Sequence, residues 1–216
     1  MGRVNTSQSA SLAQLVEWLH QFGSLVQQNK GYLTELDSAI GDADHGANMA
    51  RGMNAVLNEL PETSGADALF KKVGMTLVSS VGGASGPLYG TFFMRFATPL
   101  GSGDEVSAES VAAALRAGLE GVLSRGKAEL GDKTMVDAMT PAVEAIEAAV
   151  SSGESLAEAT RAGAAAAREG REATIEMVAR KGRASYLGER SKGHQDPGAT
   201  STAYLFEALA ASLDGA

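Results

Sequence analysis

Apolar residues recur at three- and four-residue spacings along most of the chain. The first set, Leu12, Leu15, Val16, Leu19, Phe22 and Val26, forms one stripe on a helix, predicted over about 9–28. The same period returns in Met49, Met53, Val56, Leu57 and Leu60, where Pro61 stops it, and again in Val111, Leu115, Leu119 and Val122. Met135, Met139, Val143, Ile146 and Val150 mark another helix. Ser155 followed by Glu158 has the form of a capping box and opens an Ala-rich helix, and Tyr204, Leu205, Leu209 and Leu213 mark the last. With the segments at 66–81 and 88–97, this gives roughly eight helices on short connectors, the pattern of an all-α up-and-down bundle or barrel. No run alternates with period two, and only three residues are Ile, so no strand is predicted.

Length and charge bound what such a bundle can do. The 216 residues, read as one domain over 1–216, carry 18 Lys and Arg against 26 Asp and Glu, for a net charge of −8. That balance argues against nonspecific binding to nucleic acid or to an anionic membrane, so an anionic ligand needs a locally basic site. The absence of cysteine excludes disulfides, thiolate metal sites and cysteine nucleophiles, leaving oxygen and nitrogen groups for any chemistry. No signal-like or bilayer-length apolar run is present, so a cytoplasmic location is expected. Residues 1–6 fit the loose myristoylation pattern, a short motif that arises often by chance.

The densest chemistry lies at 36–46, where Asp37, Asp42 and Asp44 fall within eight residues and Gly41 and Gly46 bracket the last two. Carboxylates this close repel, and a tight turn between helices would make them converge on a hard divalent cation. All-oxygen ligation points to Mg²⁺, Ca²⁺ or Mn²⁺. An EF-hand starting at Asp42 fails, because Gly46, Ala47 and Met53 occupy its fifth, sixth and twelfth positions. Mg²⁺ with phosphate oxygens completing its shell is the leading reading, with His45 on the phosphate side.

Two other stretches fit an anionic ligand. The Gly/Ser loop at 79–86 can present backbone N–H groups to phosphate. It is neither a dinucleotide fingerprint nor a nucleophile elbow, because Pro87 stands where the elbow needs its last glycine. Residues 121–127 match the P-loop spacing, but Ala128 replaces the Mg²⁺-binding hydroxyl and no strand precedes them. The second stretch, 180–198, has five basic residues between 180 and 192, opposed only by Glu189, four glycines and no apolar period. A long irregular segment in a compact domain is usually functional, and here a basic flap over an anion is expected.

Taken together, LDSAIGDADHGANMARG at 36–52, GGASGPLYGTFF at 82–93, GKAELGDKTM at 126–135 and RKGRASYLGERSKGHQDPGATS at 180–201 closely resemble the nucleotide-binding L subunits of bacterial dihydroxyacetone kinase. The resemblance runs in order over nearly the whole chain. It implies a barrel of eight antiparallel amphipathic helices with the nucleotide at one end. It also implies that Asp37, Asp42 and Asp44 hold two Mg²⁺ ions bridged to the phosphates of ADP or ATP, and that His45, Gly46, Ala47 and Asn48 line those phosphates. Ala84 and Ser85 would supply loop contacts, Gly126 and Met135 would bound the base, and Arg183 with Asp196, Pro197 and Gly198 would close the site.

The family has two chemistries. In one, a single polypeptide joins a substrate-binding K domain to L and exchanges ATP for ADP. In the other, K and L are separate and ADP stays bound, rephosphorylated by a phosphohistidine-bearing M subunit of phosphotransferase type that draws on phosphoenolpyruvate. A length of 216 has room for L alone, so the second type is expected, with K, M and a transcription regulator as partners and dihydroxyacetone, held on K, as acceptor. The alternatives are an L chain serving an ATP-dependent kinase of another ketose, such as erythrulose, and an ADP-bound binding module for a regulator.

Overall fold

The computed structural model describes residues 8–60 and 65–214, so the pattern at 1–6 and the stop at Pro61 lie outside the described residues. Among those described there are nine α-helices: α1 (Leu12–Gln28), α2 (Lys30–Ile40), α3 (His45–Asn58), α4 (Ala66–Ser80), α5 (Ser85–Phe96), α6 (Ala108–Gly126), α7 (Met135–Ser151), α8 (Leu156–Ala173) and α9 (Pro197–Leu213). Two 3₁₀ stretches, Thr174–Glu176 and Arg183–Ser191, fill the connection between α8 and α9. Several starts are set by side chains that satisfy otherwise unpaired N–H groups. Ser11 with Gln14, Thr134 with Asp137 and Ser155 with Glu158 form capping boxes, and Asp196 caps α9 ahead of Pro197 at its first position.

Eight of these helices close a ring. α1 packs on α3, and α3 through α9 each pack on the next until α9 returns to α1. The N-termini of α3, α5, α7 and α9 all open on one cavity, and these four alternate around the ring with α4, α6, α8 and α1. Alternation of that kind is the antiparallel barrel expected from the short connectors. Its interior is apolar and centred on Trp18, whose ring lies 5.6, 5.7 and 5.3 Å from those of Phe70, Phe93 and Phe96. The Trp18 indole N–H donates to the Leu205 carbonyl at 2.8 Å, so this buried ring leaves no polar group unpaired.

The ninth helix, α2, departs from the sequence expectation. It lies outside the ring against α3 and α9, and its buried residues are Leu33, Asp37 and Ile40. They are spaced for one helical face, but a carboxylate occupies the middle of the stripe and hides the apolar period. Two short strands also correct the expectation of none. β1 (Ser9–Ser11) pairs antiparallel with β2 (Glu105–Ser107), so the first helix starts at Leu12 rather than near 9. Three residues per strand are too few to leave a period-two signal.

Candidate functional site

The three aspartates meet at the end of the barrel where the four N-termini converge. Asp37 sits in the last turn of α2, Asp42 and Asp44 in the turn before α3, and each offers a carboxylate oxygen within 4.8 Å of the others. Asp37 Oδ2 accepts the backbone N–H groups of Asp44 at 2.8 Å and His45 at 3.0 Å, which ties α2 to the start of α3. Ala43, between the other two aspartates, has φ +61, a left-handed conformation that costs a non-glycine residue ~1–2 kcal/mol. A Cβ at Gly41 would collide with Asp37 Oδ1, so a side chain there would displace that carboxylate. This oxygen-only donor set, shaped by a strained turn, fits a hard divalent cation.

The rest of the cavity wall suits phosphate. Four helix N-termini open on one space, and their positive dipole ends favour an anion beside the metal ligands. Asn48 lines the cavity with its Oδ1 accepting from Arg51 at 2.7 Å, and Arg51 in turn donates to the Ser80 carbonyl at 2.9 Å. From the opposite side the connection after α8 brings in Lys181, Gly182, Arg183 and Ala184, and Arg183 pairs with Asp42 at 3.0 Å. Ala184, Ala179 and Leu187 pack on Ile40 at the end of α2. This segment is therefore a folded strap of 3₁₀ turns rather than a loose loop.

His45 is buried, with Nε2 2.9 Å from Ser201 Oγ and Nδ1 3.2 Å from Ser85 Oγ. The Ser201 Oγ also lies 3.1 Å from the Gly198 carbonyl, so the imidazole bridges two serines at the starts of α5 and α9. Tyr89 extends the chain through its hydroxyl, 2.7 Å from Ser201 Oγ. Burial pushes the His45 pKa down to about 4, against the raising effect of Asp37 and Asp44. The neutral ring thus holds the Ser85 and Ser201 side chains together at the mouth of the barrel.

Asp196 behaves oppositely. Burial pushes its carboxyl up to about 7, against the Ala199 N–H and the Lys133 ammonium, which lower it. Between about 3.8 and about 7 the folded protein therefore holds a proton that the unfolded chain has lost, and stability falls as pH rises through that window. His45 contributes the reverse slope between about 4 and 6.5, where only the unfolded chain is protonated. Asp196→Asn keeps the helix cap and removes the first slope. In urea unfolding without metal or nucleotide, the stability of the variant relative to wild type should climb from pH 4 to pH 7, by at most roughly 4 kcal/mol at ~1.36 kcal/mol per pH unit. Parallel pH profiles would contradict the buried, protonated carboxyl.

Of the residues singled out in the sequence, Asp37, Asp42, Asp44, His45, Asn48, Ala84, Ser85, Met135, Arg183, Asp196, Pro197 and Gly198 line this cavity. Gly126 lies with Met135, Ala84, Leu88 and Val122 on an adjoining, mainly apolar recess. Gly46 and Ala47 stand on the first turn of α3 but off the wall; Gly46 is pressed against the Lys30 carbonyl of α2. Sequence reasoning missed Tyr89, Lys133, Thr134 and Lys181, which also line the cavity. Lys181 lay within the basic run and the others within the stretches at 82–93 and 126–135 that carry the resemblance, but no charge pattern or spacing picks them out individually, since their place depends on which helices meet.

Comparison with known proteins identifies the family. The model of the DAK2 domain matches residues 39–211. The chain is 49% identical over 204 residues to the ADP-binding subunit DhaL of the PEP-dependent dihydroxyacetone kinase of Escherichia coli K12, covering 94% of this chain and 97% of that one. It is 45% identical over 196 residues to the ADP-binding subunit of the PTS-dependent dihydroxyacetone kinase of Lactococcus lactis, covering 90% and 94%. Among solved structures, the dihydroxyacetone kinase of C. freundii in complex with AMP-PNP and Mg²⁺ superposes with a TM-score of 0.72 at 27% identity, over 98% of this chain and 36% of that one.

Proposed function

The chain belongs to the DAK2 domain family and, within it, to the ADP-binding subunits of dihydroxyacetone kinase, and from that premise we propose that it carries ADP as a resident cofactor between two partner subunits. The phosphohistidine of an M-type subunit, loaded from phosphoenolpyruvate, phosphorylates the bound ADP. The γ-phosphoryl then passes to dihydroxyacetone held on a K-type subunit. The observation that carries this reading is the convergence of Asp37, Asp42 and Asp44 with four helix N-termini at one mouth of the barrel.

When bound, two Mg²⁺ ions and ADP supply the charge neutralisation and the acceptor for the transferred group. The chain holds and orients them. Asp37, Asp42 and Asp44 are the metal ligands, and Asp37 is pre-aimed by the two N–H groups it accepts. His45, Asn48, Ala84 and Ser85 form the phosphate wall, with Gly46 and Ala47 behind it in the first turn of α3, while Gly126 and Met135 flank the recess for the base. Arg183 and the Asp196-Pro197-Gly198 turn close the site. Arg183 engages Asp42 at 3.0 Å, which holds its guanidinium beside the carboxylates that would take the metal. No nucleophile on this chain is needed, because phosphoryl transfer depends mainly on positioning and charge neutralisation.

The purified chain is expected to make no dihydroxyacetone phosphate from ATP by itself, and to support steady turnover from phosphoenolpyruvate once K-type and phosphorylated M-type subunits are added. Ketose phosphorylation by the chain alone would overturn this division of labour.

A further inference from the structure

Lys133 is only 1% exposed and holds a left-handed backbone, φ +62, just before α7. Its ammonium donates to three backbone carbonyls, those of Thr174 at 2.6 Å, Met177 at 3.2 Å and His194. Among the described residues no carboxylate forms an ion pair with it. Burial of an ammonium is costly, and it lowers the pKa of this one. The three carbonyls satisfy all three of its donors, so the arrangement is complete, yet a methionine would fill the same space without that cost.

The identity of the three carbonyls explains the arrangement. Thr174 and Met177 stand where the strap leaves α8, and His194 where it returns to α9, so one nitrogen joins both ends of the segment between them. Neighbouring contacts follow the same seam: the Gly193 N–H donates to Ile175 O at 2.7 Å and the Arg180 N–H to Asp132 O at 3.0 Å. Within the strap, Ser191 Oγ accepts the Ala179 N–H at 2.8 Å. Beyond this closed base the strap carries Lys181, Gly182 and Arg183 onto the cavity wall.

We propose that Lys133 is a positioning residue that clamps the base of the basic strap, and so sets how long Arg183 keeps nucleotide in the cavity. The inference rests on reading that cavity as the nucleotide site. Lys133→Met leaves three buried carbonyls without a donor at the seam, so the base of the strap parts while the ring of helices, which does not depend on it, stays closed.

The test is release of a fluorescent ADP analogue from the Mg²⁺-loaded protein, measured by chase for wild type, Lys133→Met, Arg183→Ala and the double variant, with tryptic cleavage within 180–192 followed in nucleotide-free protein. Lys133→Met should release the analogue about tenfold faster, the scale of losing about one net charged hydrogen bond, and should be nicked faster in the strap. In the Arg183→Ala background it should add little, because its effect passes through Arg183; general destabilisation would instead multiply the two effects. Wild-type release from folded Lys133→Met, an unchanged tryptic rate, or multiplicative effects would each overturn the proposal. If Lys133→Met does not fold, Lys133→Gln, which can still serve part of the nest, takes its place with an intermediate acceleration expected and a wild-type rate contradicting. A wild-type protein that holds no analogue would refute the nucleotide reading instead, and the tryptic arm would still decide whether Lys133 clamps the strap.

Discussion

Asp44→Asn is expected to weaken Mg²⁺-dependent ADP binding by about a hundredfold, or ~2.7 kcal/mol, with the helical fold intact. The figure lies within the ~4 kcal/mol exchanged by two unit charges 4 Å apart at an effective dielectric of about 20. Asp44 is the natural choice for the test. Asp37 also holds the start of α3 through its Oδ2, and Asp42 is engaged by Arg183, so removing either changes more than metal affinity. Removing one of three converging carboxylates also relieves their repulsion, so the metal-free variant should be no less stable than wild type. Calorimetric titration with ADP in Mg²⁺ and again in EDTA checks both halves. An unchanged affinity in Mg²⁺ would contradict the metal assignment.

Gly46→Ala is expected to cost about 3 kcal/mol of stability, the upper part of the range for overpacking a tight contact, and to weaken nucleotide binding as well. A Cβ at Gly46 would run into the Lys30 carbonyl and come within 2.9 Å of the Thr34 backbone nitrogen, so α2 and α3 must separate. That separation pulls Asp37 away from the N–H groups of Asp44 and His45, which is why a residue off the cavity wall should affect the cavity. Gly131→Ala is a useful contrast: its φ is +88, but nothing lies within 4 Å of an added Cβ, so backbone strain of ~1–2 kcal/mol is the whole expected effect. Urea unfolding of the two variants separates the cases, and a Gly46→Ala protein as stable as wild type would contradict the close approach.

The barrel helices were readable in the sequence because each buries a broad stripe of apolar residues, as with Leu15, Trp18, Leu19, Phe22 and Val26 on α1. The helix that was not readable, α2, shows why: its inward stripe contains Asp37, so the residue that gives the helix its purpose erases its periodic signal. The aspartates themselves stood out because close like charges between two glycines need a physical reason. Gly46 and Ala47 were placed on the wall by motif alone, whereas the structure uses Gly46 for the crossing of α2 and α3. Lys133 lay in the stretch at 126–135 that carries the resemblance, but nothing in its sequence context announced a buried ammonium. Its partners are carbonyls 41, 44 and 61 residues away, and backbone groups leave no trace in residue type. The convergence of four helix N-termini was hidden for the same reason, being a property of helix direction around the ring.

Whether this cavity keeps ADP as a cofactor is measured most directly by mass spectrometry of the protein purified by gel filtration in Mg²⁺ without added nucleotide, then quenched in acid. One ADP per chain is expected, lost when Arg183 is replaced by Ala. An empty wild-type site, or ADP that exchanges with labelled ATP within the mixing time of the assay, would contradict it.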